Sequence, residues 1–122
     1  MSVAVDRALF DDYGSNGAVA AHVASNMSMV QGDYTGAFAD DIEFQINQVF
    51  IPVNTSQDPV PASITNASTV LNNFRNWALA GNFGMPHDLG QFLTGRDFDG
   101  DTKGVAFFRG TEANPLPAVC SN

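Results

Sequence analysis

Cysteine is nearly absent from the chain. Cys120 stands alone close to the end. One cysteine closes no internal bridge, so it is either a free thiol or half of a bridge to a partner outside these residues. Basic residues are scarce too: five against thirteen acids, for a net charge of −8. Arg7, Arg75, Arg96, Lys103 and Arg109 are scattered. No patch is left to neutralise phosphates, which argues against nucleic acid as a partner and against a polybasic membrane-surface site. No apolar run approaches the roughly 20 residues of a membrane span. The opening MSVAVDRALF lacks the basic and long apolar regions of a signal peptide. Only His22 and His87 represent histidine. Neither pairs with a Ser-Asp or Cys arrangement for nucleophilic catalysis. Gly14-Ser15-Asn16-Gly17 lacks the Lys-Ser/Thr that a phosphate-binding loop requires.

The 122 residues that remain are 44% apolar and 15% charged. That describes one globular domain with one core, spanning 1–122. The low charge and many Asn and Ser suit a secreted protein. Sequons occur at Asn26, Asn54 and Asn66, a pattern expected by chance at this Asn content.

Residues 3–10 begin as a short strand, with Val3 and Val5 alternating with Ala4 and Asp6. Asp11 to Gly17 is a turn cluster in which Ser15 or Asn16 can cap a helix. Val19, Val23, Met27, Val30, Tyr34 and Phe38 then follow helical spacing, which predicts a long helix with a core-facing stripe, weakened late by Gly32 and Gly36. Residues 42–53 alternate in two phases, predicting a strand with a bulge near Asn47-Gln48. Pro52 ends its pairing or marks an edge. Residues 54–63 form a loop. A second helix carries Val70, Leu71, Phe74, Trp77 and Ala78, with Gly81 as its stop. Phe74 and Trp77 read as core.

The most informative stretch is His87 to Arg109. Two apolar runs, Leu89-Phe92-Leu93 and Val105 to Phe108, flank a turn rich in Asp and Gly. This predicts strand, tight loop, strand, with the two strands paired antiparallel. Helices between the earlier strands imply parallel pairs with crossovers. The expected fold is therefore α/β: a mixed, mostly parallel sheet with an antiparallel edge strand and two long helices.

His87-Asp88, Leu93-Thr94-Gly95, Asp97-Phe98 and Gly104-Val105-Ala106-Phe107 together resemble the third and fourth strands of reprolysin (adamalysin-like, ADAM-type, M12B-like) metzincin zinc peptidases. The resemblance extends to Val3–Phe10 and to Leu71-x-x-Phe74-x-x-Trp77, so it covers nearly the whole chain. It implies an α+β-like metzincin fold and a secreted zinc metalloendopeptidase acting on peptide or protein substrates. In such an enzyme zinc polarises the scissile carbonyl and a glutamate activates the zinc-bound water. The family's motif His-Glu-x-x-His-x-x-Gly-x-x-His does not occur here. The chain is thus expected to be the N-terminal portion of a catalytic domain, truncated before the zinc-binding helix and inactive alone. Thr111 to Val119 departs from the family pattern, and Cys120, in an expected loop, is a disulfide candidate.

The resemblance also assigns a role to Thr102, Lys103, Gly104, Val105 and Ala106: the upper rim of the substrate cleft, to which a peptide adds as a strand. Taken alone, the same residues are an ordinary edge strand guarded by Lys103. His87 reads as a hydrogen-bonded residue at a strand entrance rather than a ligand, since zinc needs three or four ligands. Asp97, Asp99 and Asp101 resemble the start of a calcium loop, but Thr102 and Phe108 stand where an EF-hand has Gly and Glu. A solvated acidic turn is the better reading. The alternative function is a non-catalytic binding module, in one form calcium-dependent through these aspartates.

Overall fold

The computed structural model describes residues 1–39, 41–107 and 118–121. Five strands form one sheet in the order β2-β1-β3-β5-β4. They are β1 (Ser2–Val5), β2 (Gln48–Phe50), β3 (Gly90–Thr94), β4 (Gly104–Ala106) and β5 (Ala118–Ser121). All neighbours run parallel except β4, which is antiparallel to β5 and lies at the edge. The helices are α1 (Arg7–Tyr13), α2 (Asn16–Phe38) and α3 (Ala67–Leu79). The mixed α/β class with an antiparallel edge and two long helices is as the sequence implies.

The parallel strands β1 and β3 are buried on both faces. Alternation along β1 sends Val3 and Val5 to one side and Ala4 to the other. Val3, Val5 and Leu93 pack with Leu9, Val19 and Val23 of α1 and α2. Ala4 and Phe92 pack with Val70, Leu71, Phe74 and Ala78 of α3, together with Val60, Phe83 and Phe98. Trp77 is half-buried against this second cluster.

Several sequence expectations need correcting. The alternation that opens residues 3–10 stops at Val5 rather than Asp6, because Asp6 caps a helix there: its carboxylate accepts from Leu9 N at 2.9 Å. Gly14 closes that helix at φ 73°, a conformation glycine adopts without strain. The long strand 42–53 shrinks to Gln48–Phe50, and 42–47 lies outside the ladder, held instead by Met1 and Gln31. β2 is an edge and ends before Pro52, in line with the missing amide donor. The stripe on α2 is core only over Val19, Val23 and Met27; Tyr34 and Phe38 are exposed because the helix outruns the sheet it covers. The expected β3–β4 hairpin does not form. β5 inserts between them, parallel to β3 and antiparallel to β4. Cys120 accordingly belongs to a strand rather than a loop, opposite Leu93 and Gly104 in register. Most of the departing stretch 111–119 lies outside the described residues.

Candidate functional site

β4 places Gly104, Val105 and Ala106 on the sheet's antiparallel edge, with β5 on one side. Gly104 and Ala106 are exposed and Val105 is half-buried against the α3 cluster. Thr102 and Lys103 lead into the strand, half-buried and exposed respectively. In an antiparallel ladder, alternate residues turn their N–H and C=O to opposite sides. Part of the β4 backbone therefore faces away from β5. The rim residues named from sequence are contiguous and sit where a further strand can add.

The histidines lie on different elements and both are engaged. On α2, His22 Nδ1 pairs with Tyr13 Oη at 2.8 Å and Nε2 with Asn26 Nδ2 at 3.1 Å, while its ring stacks on Tyr13. His87 Nδ1 pairs with Met85 O at 3.1 Å, and the ring meets Phe83 edge-on. The reading of His87 as a hydrogen-bonded strand-entrance residue agrees with this. Among the described residues no three His, Cys, Asp or Glu side chains converge on a metal position. The described residues therefore do not fit a catalytic zinc. Asp97, Asp99 and Asp101 form no cation site either, so calcium has no support. Asp99 instead contributes its backbone N–H to Thr65 O at 3.1 Å.

Sequence reasoning missed a buried cluster at the carboxyl ends of β1 and β3. From β1 the chain goes through α1 and α2 to β2 on one side, and from β3 it goes to β4 and β5 on the other; such a reversal of strand order is the place where open α/β sheets take ligands. Here that crevice is filled by protein. Asp6 and Arg96 are both buried and ion-paired at 3.0 Å. Thr94 Oγ1 donates to Asp6 and accepts from Arg96 Nε. The remaining Arg96 donors reach Val60 O, Pro61 O and Ile64 O at 2.9–3.1 Å. All five guanidinium donors thus find acceptors, and the 58–64 loop is clamped over the strand ends. Gly95 sits against α1 so closely that a Cβ there would lie 2.8 Å from Leu9 N. An Asp six residues into the chain and an Arg after Leu-Thr-Gly were visible signals, but nothing in their spacing joins them.

Asp58 fastens the same loop to α1, accepting from Arg7 N at 2.8 Å. Burial lifts its pKa above the ordinary aspartate range. The neighbouring Asp6 charge adds to this, while the Arg7 N–H and the Arg96 and Arg7 charges oppose it. A carboxyl raised in this way favours folding while protonated, and that contribution is lost as pH rises through the raised value. Asp58→Asn keeps the acceptor oxygen and never ionises. At neutral pH it should show a higher urea midpoint than the parent chain, with the gap closing by about pH 3, where both side chains are neutral. An equal gap at both pH values would show that ionisation is not its cause.

With edge, histidines and crevice placed, the relationship follows. The model of the Reprolysin (M12B) family zinc metalloprotease matches residues 1–114. The chain belongs to the reprolysin family. No curated protein matches it. The scaffold is thus that of a reprolysin zinc metalloprotease, and the buried Asp6–Arg96 clamp and the β4 edge are features of that scaffold here. Among the described residues no helix is long and apolar enough to cross a membrane.

Proposed function

We propose that residues 1–122 are the N-terminal portion of the catalytic domain of a secreted reprolysin endopeptidase, and that Thr102, Lys103, Gly104, Val105 and Ala106 form the upper rim of its cleft. The supporting observation is the position of β4: an antiparallel edge strand, within the matched residues, that leaves backbone groups for an extended peptide. Main-chain bonds along that edge supply affinity, and side-chain pockets supply selectivity. The chemistry of bond cleavage belongs to groups outside these residues. Cys120, in β5, is the candidate for a disulfide to a cysteine beyond them.

Two measurements test this. The purified 122-residue chain should show no chelator-sensitive peptide cleavage, since His22 and His87 sit on separate elements, with both ring nitrogens of His22 and Nδ1 of His87 engaged; measurable cleavage would refute the assignment. In a longer gene product carrying the zinc motif, Val105→Pro and Ala106→Pro each delete one N–H, one facing β5 and one facing outward. One of the two should raise KM for a peptide by about five- to tenfold, the worth of roughly one hydrogen bond, with the fold intact. If neither does, β4 is only an edge strand. A stop codon directly after Asn122 would instead favour the binding-module reading.

A further inference from the structure

α2 outlasts the core it covers, and what lies beside its second half is not used by the peptidase reading. Residues 42–47 run back along it outside the strand ladder. Gln31 fixes their course. Its Nε2 donates to Ile42 O at 2.8 Å and its Oε1 accepts from Phe44 N at 2.8 Å, so one side-chain amide serves as a backbone partner. Phe44 meets Tyr34 edge-on at 4.8 Å. Between α2 and this segment lies an open groove of about 470 Å³, floored by Ala24, Met27, Phe44 and Ile46. A second recess of about 390 Å³ adjoins it, sharing Phe44 and Gln45 and carrying Glu43 and Asp88. Among the described residues, one cation stands on its wall, the Met1 ammonium, donating to Gln45 O at 2.6 Å. The sequence around is one-signed: no Lys or Arg occurs between Arg7 and Arg75, whereas Asp11, Asp12, Asp33, Asp40, Asp41, Glu43 and Asp58 do.

We propose that this paired groove docks an extended segment of a partner protein, one that seats an apolar side chain against Met27 and Ile46 and a lysine or arginine beside Glu43 and Asp88. An apolar floor next to an acidic recess selects that combination: apolar burial supplies contact, and the opposite charge supplies orientation and rejects acidic sequences. A second copy of the chain fits poorly, because a surface this acidic would meet its own sign. The inference does not depend on the peptidase reading, since it uses a different edge of the molecule.

The test is fluorescence polarisation of the 122-residue chain with two labelled synthetic peptides, one alternating leucine with lysine and one alternating leucine with glutamate. The lysine peptide should bind and the glutamate peptide should not. Ala24→Trp fills the groove from an exposed helix position, and Glu43→Lys reverses one recess charge. Each should weaken binding about tenfold while thermal melting stays cooperative. The control D99N/D101N makes the same net-charge change as Glu43→Lys on the distant acidic turn, and should leave binding unchanged. The proposal is overturned if the control weakens binding as much as Glu43→Lys, which would mean diffuse attraction. It is also overturned if Ala24→Trp has no effect, if both peptides bind alike, or if sedimentation shows a dimer that Ala24→Trp disrupts.

Discussion

Replacing Arg96 by methionine should cost about 3–5 kcal/mol of folding stability, the usual loss when one partner of a buried ion pair is removed. The geometry explains the size. Asp6 is 1% exposed and Arg96 8%, so water cannot take over from the lost guanidinium. The carboxylate would keep Leu9 N, Gly95 N and Thr94 Oγ1, but its charge would be unopposed. Val60 O, Pro61 O and Ile64 O would lose their donor together. A domain of this size has about 5–15 kcal/mol in all, so the variant should unfold at markedly lower urea. Arg96→Lys should restore only part of the loss, because an ammonium presents three donors without the planar fork that reaches both the carboxylate and the three carbonyls. Removing both charges, as Asp6→Leu with Arg96→Met, should cost less than the sum of the single changes. A loss under about 1 kcal/mol for Arg96→Met would place the pair among solvent-screened surface bridges and contradict the burial.

That clamp marks the limit of what the sequence shows. Local signals were readable. Apolar residues at helical spacing announced α2 and α3, and Gly81 at φ 83° follows α3 where a stop was expected. Pro52 foretold the end of β2. What failed was pairing at a distance. β5 has four residues following a proline-bearing stretch, too short for periodicity to register, yet it separates β3 from β4. Closeness in sequence predicted a hairpin, and nothing local shows that a later strand will intrude. Asp6 and Arg96 lie ninety positions apart, and only the folded sheet joins them. The edge position of β4 was legible for a different reason. Gly104-Val105-Ala106 fell within a run that carried a family resemblance, so its place at the edge came with the pattern. The groove beside α2 was hidden because its stripe looked like uninterrupted core, and periodicity does not tell where the opposing sheet ends.

The second large effect is expected at Phe74. It is fully buried on the inner face of α3 and stacks on Phe92 of β3 at 5.3 Å, with Phe83 edge-on at 6.1 Å. Phe74→Ala should cost about 3–5 kcal/mol, combining lost apolar burial with a cavity that the surrounding aromatic rings cannot close. Phe74→Leu should cost distinctly less, since more of the volume is kept. The consequence also reaches the edge. Val105 and Phe107 pack against the same cluster from β4 and the residue after it, so α3 is the support on which the edge strand rests. Hydrogen exchange should therefore quicken at the β4 amides in Phe74→Ala, beyond what the change in global stability accounts for. Exchange over the Val19 and Val23 turns of α2, which pack in the cluster on the other face of the sheet, should follow global stability alone. Equal acceleration there and at β4 would mean that the domain opens as one unit and that α3 gives β4 no separate support. Faster exchange at β4 alone would tie the rigidity of the proposed cleft rim to one phenylalanine on the helix behind it.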